Sequence, residues 1–330
     1  MALVLALAMA LALLIYALTG GADFGAGILL LFSHGSARKR EHAELIEHAI
    51  APIWEANHVW LIFIIVVMFA AFPPAFVLLV VILHVPLTLM LIAIVLRGSA
   101  FVFQTYDPSQ RNQVWPVVFT VSSIAAPVLL GVCLGAVASG RVTPASDLTS
   151  AWWQPFPWLV GVFVAALFAL LAAAYLCREA EGAVREDFRV RALIAEGVAG
   201  AAAAAALVAA RSGAPALFAT LAGAPRAWLF QAAIAGVSCG ACAALWRRRF
   251  GLARALVVVQ VSGVVAGFLT AQYPWLIPPT RTIANSAAEP QVLAAIVGVA
   301  VAGGALLAPA FVWLFVVFKS RARAAPETRA

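Results

Sequence analysis

The sequence predicts an all-α polytopic membrane protein, with nine transmembrane helices packed as helical bundles, the N-terminus outside and the C-terminus inside. Three observations carry this prediction. Hydrophobic residues make up 65% of the 330 positions, and charged residues only 11%, against roughly a quarter in soluble domains. The mean hydropathy is +1.02. Apolar runs of the length that crosses ~30 Å of hydrocarbon recur along the whole chain.

Nine such runs lie near 3–33, 52–72, 75–96, 114–138, 156–177, 189–210, 228–246, 252–273 and 291–318. The first is apolar from Ala2 onward, lacks a basic leading region and outruns a signal peptide, so it reads as a retained span. It is longer than a bilayer needs and must protrude or tilt. Segment 34–49 mixes both charge signs and predicts a short cytoplasmic surface helix, with His34, His42 and His48 as solvated histidines. Pro52 suits the first turn of the second span. Only the Pro73-Pro74 turn separates the second span from the third. Pro86 kinks the third, and Arg97 ends it. The Ala-rich tract 199–206 suits a tightly packing helix face. The remaining polar segments are 97–113, 139–155, 178–188 and 274–290; Tyr273 just before the last of these and Trp275 within it read as interface anchors. The whole chain, 1–330, reads as a single integral membrane domain without an internal repeat.

Charge orients the bundle. With the N-terminus outside, only Arg141, Arg211, Arg226 and Arg281 of the 21 Lys and Arg residues fall on the outer side. The positive-inside rule then favours N-out, C-in and an odd number of spans. The net charge of +7 therefore reports topology, and no nucleic-acid partner is expected. Cys133, Cys177, Cys239 and Cys242 all lie in or at the ends of apolar runs. The Cys-x-x-Cys at 239–242 has no redox fold around it and reads as small residues on one helix face.

Two polar groups are out of place in these spans. Asp23 lies in Gly-Gly-Ala-Asp-Phe-Gly-Ala-Gly, about ten residues before the cytoplasmic end of the first span, hence ~15 Å deep. Gly20, Gly21, Gly25 and Gly27 around it allow close helix approach or a local break. A carboxylate at that depth pairs, holds a proton or lines a hydrated path. The competing reading is an Asp that only fixes packing through a neighbouring helix. The second group is Trp54, Glu55, Asn57, His58 and Trp60 at the start of the second span. Helical spacing puts Glu55 and His58, and Trp54 and His58, on one face. Carboxylate, imidazole and amide supply donors and acceptors, and both His and a buried Glu can titrate near neutral pH. A shallow Glu55 and a deep Asp23 would form a two-step proton route from the inside. The alternative for this group is interfacial anchoring, which Trp belts and the helix dipole favour; for Trp60 alone, anchoring or packing is the better reading.

Arg97 has two readings, a pair with a carboxylate or lipid phosphate and simple snorkelling. His84, in Ile-Leu-His-Val-Pro, could ligate a haem iron, but no second His stands at matching depth; it reads better as satisfying backbone groups freed by Pro86. There is no phosphate loop, dinucleotide fingerprint or nucleophile elbow. No metal site and no catalytic residue are expected in this chain alone.

Gly21-Ala-Asp-Phe-Gly-Ala-Gly27 followed by Ala51-Pro-Ile-Trp-Glu-Ala-Asn-His-Val-Trp60 resembles subunit II of cytochrome bd-type quinol oxidases. The Trp-Glu-Ala-Asn-His variant is similar to the branch called cyanide-insensitive oxidases. Arg97, the Tyr-Pro-x-x-Ile-Pro-Pro turn at 273–279 and the Phe-Lys at the end of the last span support it. The resemblance implies nine spans in a bacterial inner membrane, a haem-bearing subunit I as partner, and quinol oxidation coupled to reduction of dioxygen to water. It places haems b and d in subunit I and none in this chain. Membrane lipid and quinol are further partners; a small accessory subunit and a structurally bound quinone are compatible, and no residue here assigns either. It maps Asp23 and Glu55 onto an acidic cytoplasmic proton route, with Asn57 and His58 in the pathway and Trp54, Trp60 and Arg97 supporting it. Two departures stand out: many members carry Asp at the position of Glu55 and an amide at that of His58. The rival expectations are a secondary transporter with a broken, Gly-rich first helix, and a purely structural assembly subunit.

Overall fold

The computed structural model describes residues 1–32, 41–46, 54–106 and 114–324. Helix α1 covers Ala2–Leu31, and a short helical stretch follows at 41–46. Next come α2 (Trp54–Ala71), α3 (Pro73–Ile82) and α4 (His84–Tyr106). Then follow α5 (Val114–Ala138), α6 (Pro155–Glu179), α7 (Gly182–Gly213) and α8 (Pro215–Ala222). The last are α9 (Pro225–Trp246), α10 (Phe250–Gln272) and α11 (Pro290–Ala324). Among the described residues eight helices are long and apolar enough to cross a membrane. A bent pair, Ala56–Ala71 with Pro73–Ile82, allows a ninth. The chain is thus an all-α, multi-pass membrane protein. A two-stranded antiparallel sheet, β1 (Trp275–Ile277) with β2 (Arg281–Thr282), is set within the polar turn before α11.

Local chemistry accounts for the breaks. Phe72 is non-helical and Pro73-Pro74 open α3, so the chain turns by 118° between α2 and α3. Pro86 has no N–H and its ring crowds the carbonyl four residues back, that of Ile82; α3 ends there. His84 spans the break, its Nδ1–H donating to the Val81 carbonyl at 3.0 Å. Ala180 and Glu181 separate α6 from α7, and Gly182, at a φ of +55°, opens α7. This positive φ suits a residue without a Cβ.

The structure departs from the sequence reading in four places. Helix α1 is continuous through its glycines, so the broken first helix of the transporter reading is absent. Arg97 does not end a span: α4 runs on to Tyr106 and the side chain is 1% exposed. The segment 178–188, expected to be a polar loop, is helical from Gly182. His42 is buried, packed on the Phe188 ring at 4.9 Å with Nε2 3.5 Å from Asp187, because α7 folds back over the 41–46 stretch. His34 and His48 lie outside the described residues.

Helix α6 is the hub. It packs against α1, α5, α7 and α10, and its run from Ala166 to Ala174 is buried throughout. A second apolar cluster joins α2, α3, the end of α5, Trp152, Ile277 and Leu293.

Candidate functional site

The site is built where α1, α4 and α5 meet. Two glycines set the distances. A Cβ on Gly25 would lie 1.9 Å from the Phe168 carbonyl oxygen of α6, and one on Gly27 would lie 2.1 Å from Ser123 Oγ of α5. Only the absent side chains let α1 lie backbone-to-backbone against its neighbours, the small-residue packing that apolar surroundings favour. This contact fixes Asp23 opposite Ser123. The α4–α5 packing then brings Arg97 across from the other side.

Arg97 closes on Asp23 with both arms. Nη1 donates to Asp23 Oδ2 at 3.0 Å, and Nη2 donates to Oδ1 at 2.7 Å and to the Asp23 backbone oxygen at 3.1 Å. Nε donates to Ser123 Oγ at 3.1 Å. The Phe24 and Phe119 rings cover the guanidinium, with Cζ 5.0 and 4.8 Å from their centroids. Asp23 is 4% exposed and Ser123 is fully buried. Two-point pairing of this kind is strong and directional, and each charge is neutralised where it is desolvated. The two readings of Arg97 thereby separate: it pairs with a carboxylate of its own chain and does not snorkel.

His58 stands next to this pair. Its ring centroid is 5.9 Å from that of Phe24 and 6.2 Å from that of Tyr16. His58 Nδ1 is buried and has no hydrogen-bond partner among the described residues. Asn57 is buried, and its Nδ2 reaches the Thr19 carbonyl only at a long 3.5 Å. Trp60 packs partly buried against the main apolar core. The backbones of Trp54 and Glu55 start α2, while their side chains lie outside the described residues. A groove of about 480 Å³ opens beside His58, bounded by Ile94, Gly98, Ser99, Val102 and Phe103 of α4.

The structure thus joins Asp23 to Arg97 and sets His58 and Asn57 beside them. Sequence reasoning missed Ser123, Tyr16 and the two phenylalanines. The Ser122-Ser123 doublet inside an apolar span was a readable signal, as was Tyr16, two helical turns before Asp23 on the same face. Chemically, the cluster offers a clamped carboxylate and an imidazole with an unused nitrogen. Among the described residues no group of three His, Cys, Asp or Glu side chains could hold a metal ion.

Comparison with known proteins agrees with this fold. The chain is 33% identical over 114 residues to the cytochrome bd ubiquinol oxidase subunit 2 of Bacillus subtilis (strain 168), covering 34% of this chain and 32% of that one. It is 24% identical over 189 residues to the cytochrome bd-I ubiquinol oxidase subunit 2 of Escherichia coli (strain K12), covering 54% and 49%. The matched part spans half or less of these relatives' own length. A chain of the bd oxidase structure from Geobacillus thermodenitrificans shares the fold, with a TM-score of 0.80 at 24% identity, over 96% of this chain and 98% of that one. The profile of the cytochrome bd terminal oxidase subunit II family matches residues 1–318, and the chain belongs to that family.

Proposed function

We propose that the chain is the haem-free second subunit of a bd-type quinol oxidase in a bacterial cytoplasmic membrane, with nine spans in one domain, N-out and C-in. It pairs with a haem-bearing subunit I, supports that subunit's assembly, and contributes part of a cytoplasmic proton-uptake route. Quinol oxidation and reduction of dioxygen to water take place in the partner, where haems b and d supply the redox chemistry. This chain's residues hold and move protons.

The observation that carries the reading is the buried Asp23–Arg97 pair with His58 and Asn57 beside it, in a chain of this family. Ionisable groups inside a span are expensive and mark pathways by default. A proton arriving near Glu55 would pass along the face of α2 to His58, whose Nδ1 is unused. Each Asp23 carboxylate oxygen accepts one Arg97 bond and keeps a second lone pair, so Asp23 can take the proton while Arg97 still holds it. Protonation cancels the charge that strengthens those bonds, and the ion pair therefore works as a threshold, weakened while the proton is held. Trp54 and Trp60 are assigned supporting roles beside the route, and Asn57 steadies it through Thr19.

The test is turnover of the purified complex with Glu55→Gln and Asp23→Asn. Both variants are expected to lower oxygen consumption with quinol per haem of the assembled complex, whatever the yield of that complex. Full activity in both would overturn the proton role. A second reading, in which the pair only locks α1 to α4, is favoured by the four hydrogen bonds on Arg97. It predicts loss of haem-loaded complex in place of slower turnover.

A further inference from the structure

A second buried carboxyl lies away from the Asp23 cluster, where α7, α9 and α10 meet. Glu196 is 7% exposed and Gln260 is 4% exposed. Gln260 Nε2 donates to Glu196 Oε1 at 2.7 Å. Ser238 of α9 lies beside the carboxyl. Two acceptors are left over, Glu196 Oε2 and Gln260 Oε1, both buried and without a hydrogen-bond partner. Among the described residues no cation is paired with this carboxyl, and Cys242 is a titratable neighbour. Glu196 lies within an apolar helix long enough to span, five residues or ~7.5 Å beyond Arg191 along α7.

The pattern has one economical solution. An ionised carboxylate only accepts hydrogen bonds. Here it would leave two acceptors empty and a charge unpaired in apolar surroundings, a costly arrangement. A neutral carboxylic acid carries a hydrogen on Oε2. That hydrogen can be donated to Gln260 Oε1, closing a two-point acid–amide ring with the bond already present. One proton then satisfies both orphan oxygens. We propose that Glu196, Gln260 and Ser238 form a second proton-binding site in the membrane core, separate from Asp23–Arg97, with Glu196 neutral and serving as hydrogen-bond donor to Gln260. This site does not depend on the proton role assigned to Asp23 and Glu55.

The experiment compares infrared spectra of the purified oxidase complex carrying either the wild-type chain or Glu196→Gln. The expected result is loss of one protonated-carboxyl C=O band that shifts in D2O, with the complex still assembled because a neutral amide replaces a neutral acid. Loss of carboxylate stretching bands in its place would overturn the proposal. Should Glu196→Gln fail to assemble, dicyclohexylcarbodiimide on the wild-type complex decides. It attacks protonated, apolar carboxyls, so modification of Glu196 is expected, while Glu186, ion-paired with Arg189, stays unmodified. Absence of modification at Glu196, or its protection by sodium but not potassium ions, would also overturn the assignment, the latter in favour of a metal cation.

Discussion

Removing one member of the Asp23–Arg97 pair is the most informative perturbation of the fold. In Arg97→Leu the Asp23 carboxylate keeps its burial and loses three hydrogen bonds to the residue, two on its side chain and one on its backbone oxygen. Ser123 loses a fourth. The two flanking rings lose their cation as well, each contact being worth ~0.5–2 kcal/mol. Breaking one side of a buried pair costs ~3–5 kcal/mol, chiefly because the remaining charge is stranded. Asp23→Leu strands Arg97 in the same way. The double variant strands nothing, and an apolar replacement of a buried pair is often neutral. The cycle is therefore expected to show two damaging single changes and a double variant that costs no more than either, so that the coupling is at least as large as one single cost, ~3–5 kcal/mol or more. Thermal unfolding of the purified complex in mild detergent, followed with its yield from the membrane, reads this out. Losses that simply add in the double variant, or an Arg97→Leu cost below about 1 kcal/mol, would refute the argument that mutual neutralisation holds the pair in place.

Three further outcomes follow from contacts elsewhere. Gly25→Ala should cost about 1–3 kcal/mol or more by overpacking, since its Cβ would meet the Phe168 carbonyl, whereas Gly197→Ala, with open space around it, should be neutral or stabilise by up to ~1 kcal/mol; expression and thermal stability of the two variants check the contrast. Arg191→Met should loosen the C-terminal end of α1, because Arg191 donates to the Leu29 and Phe32 carbonyls at 2.8 and 3.2 Å; faster proteolysis just beyond Phe32 would register it, and an unchanged cleavage rate would count against a capping role. Pro86→Ala should restore the missing backbone donor and join α3 to α4, which slower hydrogen exchange at positions 82–87 would reveal.

The class of the protein and its rough division into helices were legible because hydropathy and run length are local properties. Asp23, Asn57, His58 and Arg97 were legible for a related reason: each is a polar residue where the surrounding composition leaves none to spare. Other features were hidden because they arise between segments. That α4 carries Arg97 within it, and not at its end, goes with the pairing of that residue to Asp23 on α1, which no local pattern reveals. The burial of His42 depends on α7 lying over it. Glu196 and Gln260 were visible as polar residues within spans, but nothing near either in the chain names the other across 64 positions.

The sequence by itself determined that this chain lives in a membrane and which few side chains are too polar for their surroundings. Tertiary structure alone decided what those side chains do to one another. Asp23 and Arg97 are 74 positions apart, and they meet because Gly25 and Gly27 let α1 sink against α6 and α5. Hydrophobicity acts residue by residue and can be read along a chain. Pairing depends on distance in space, and only packing sets that.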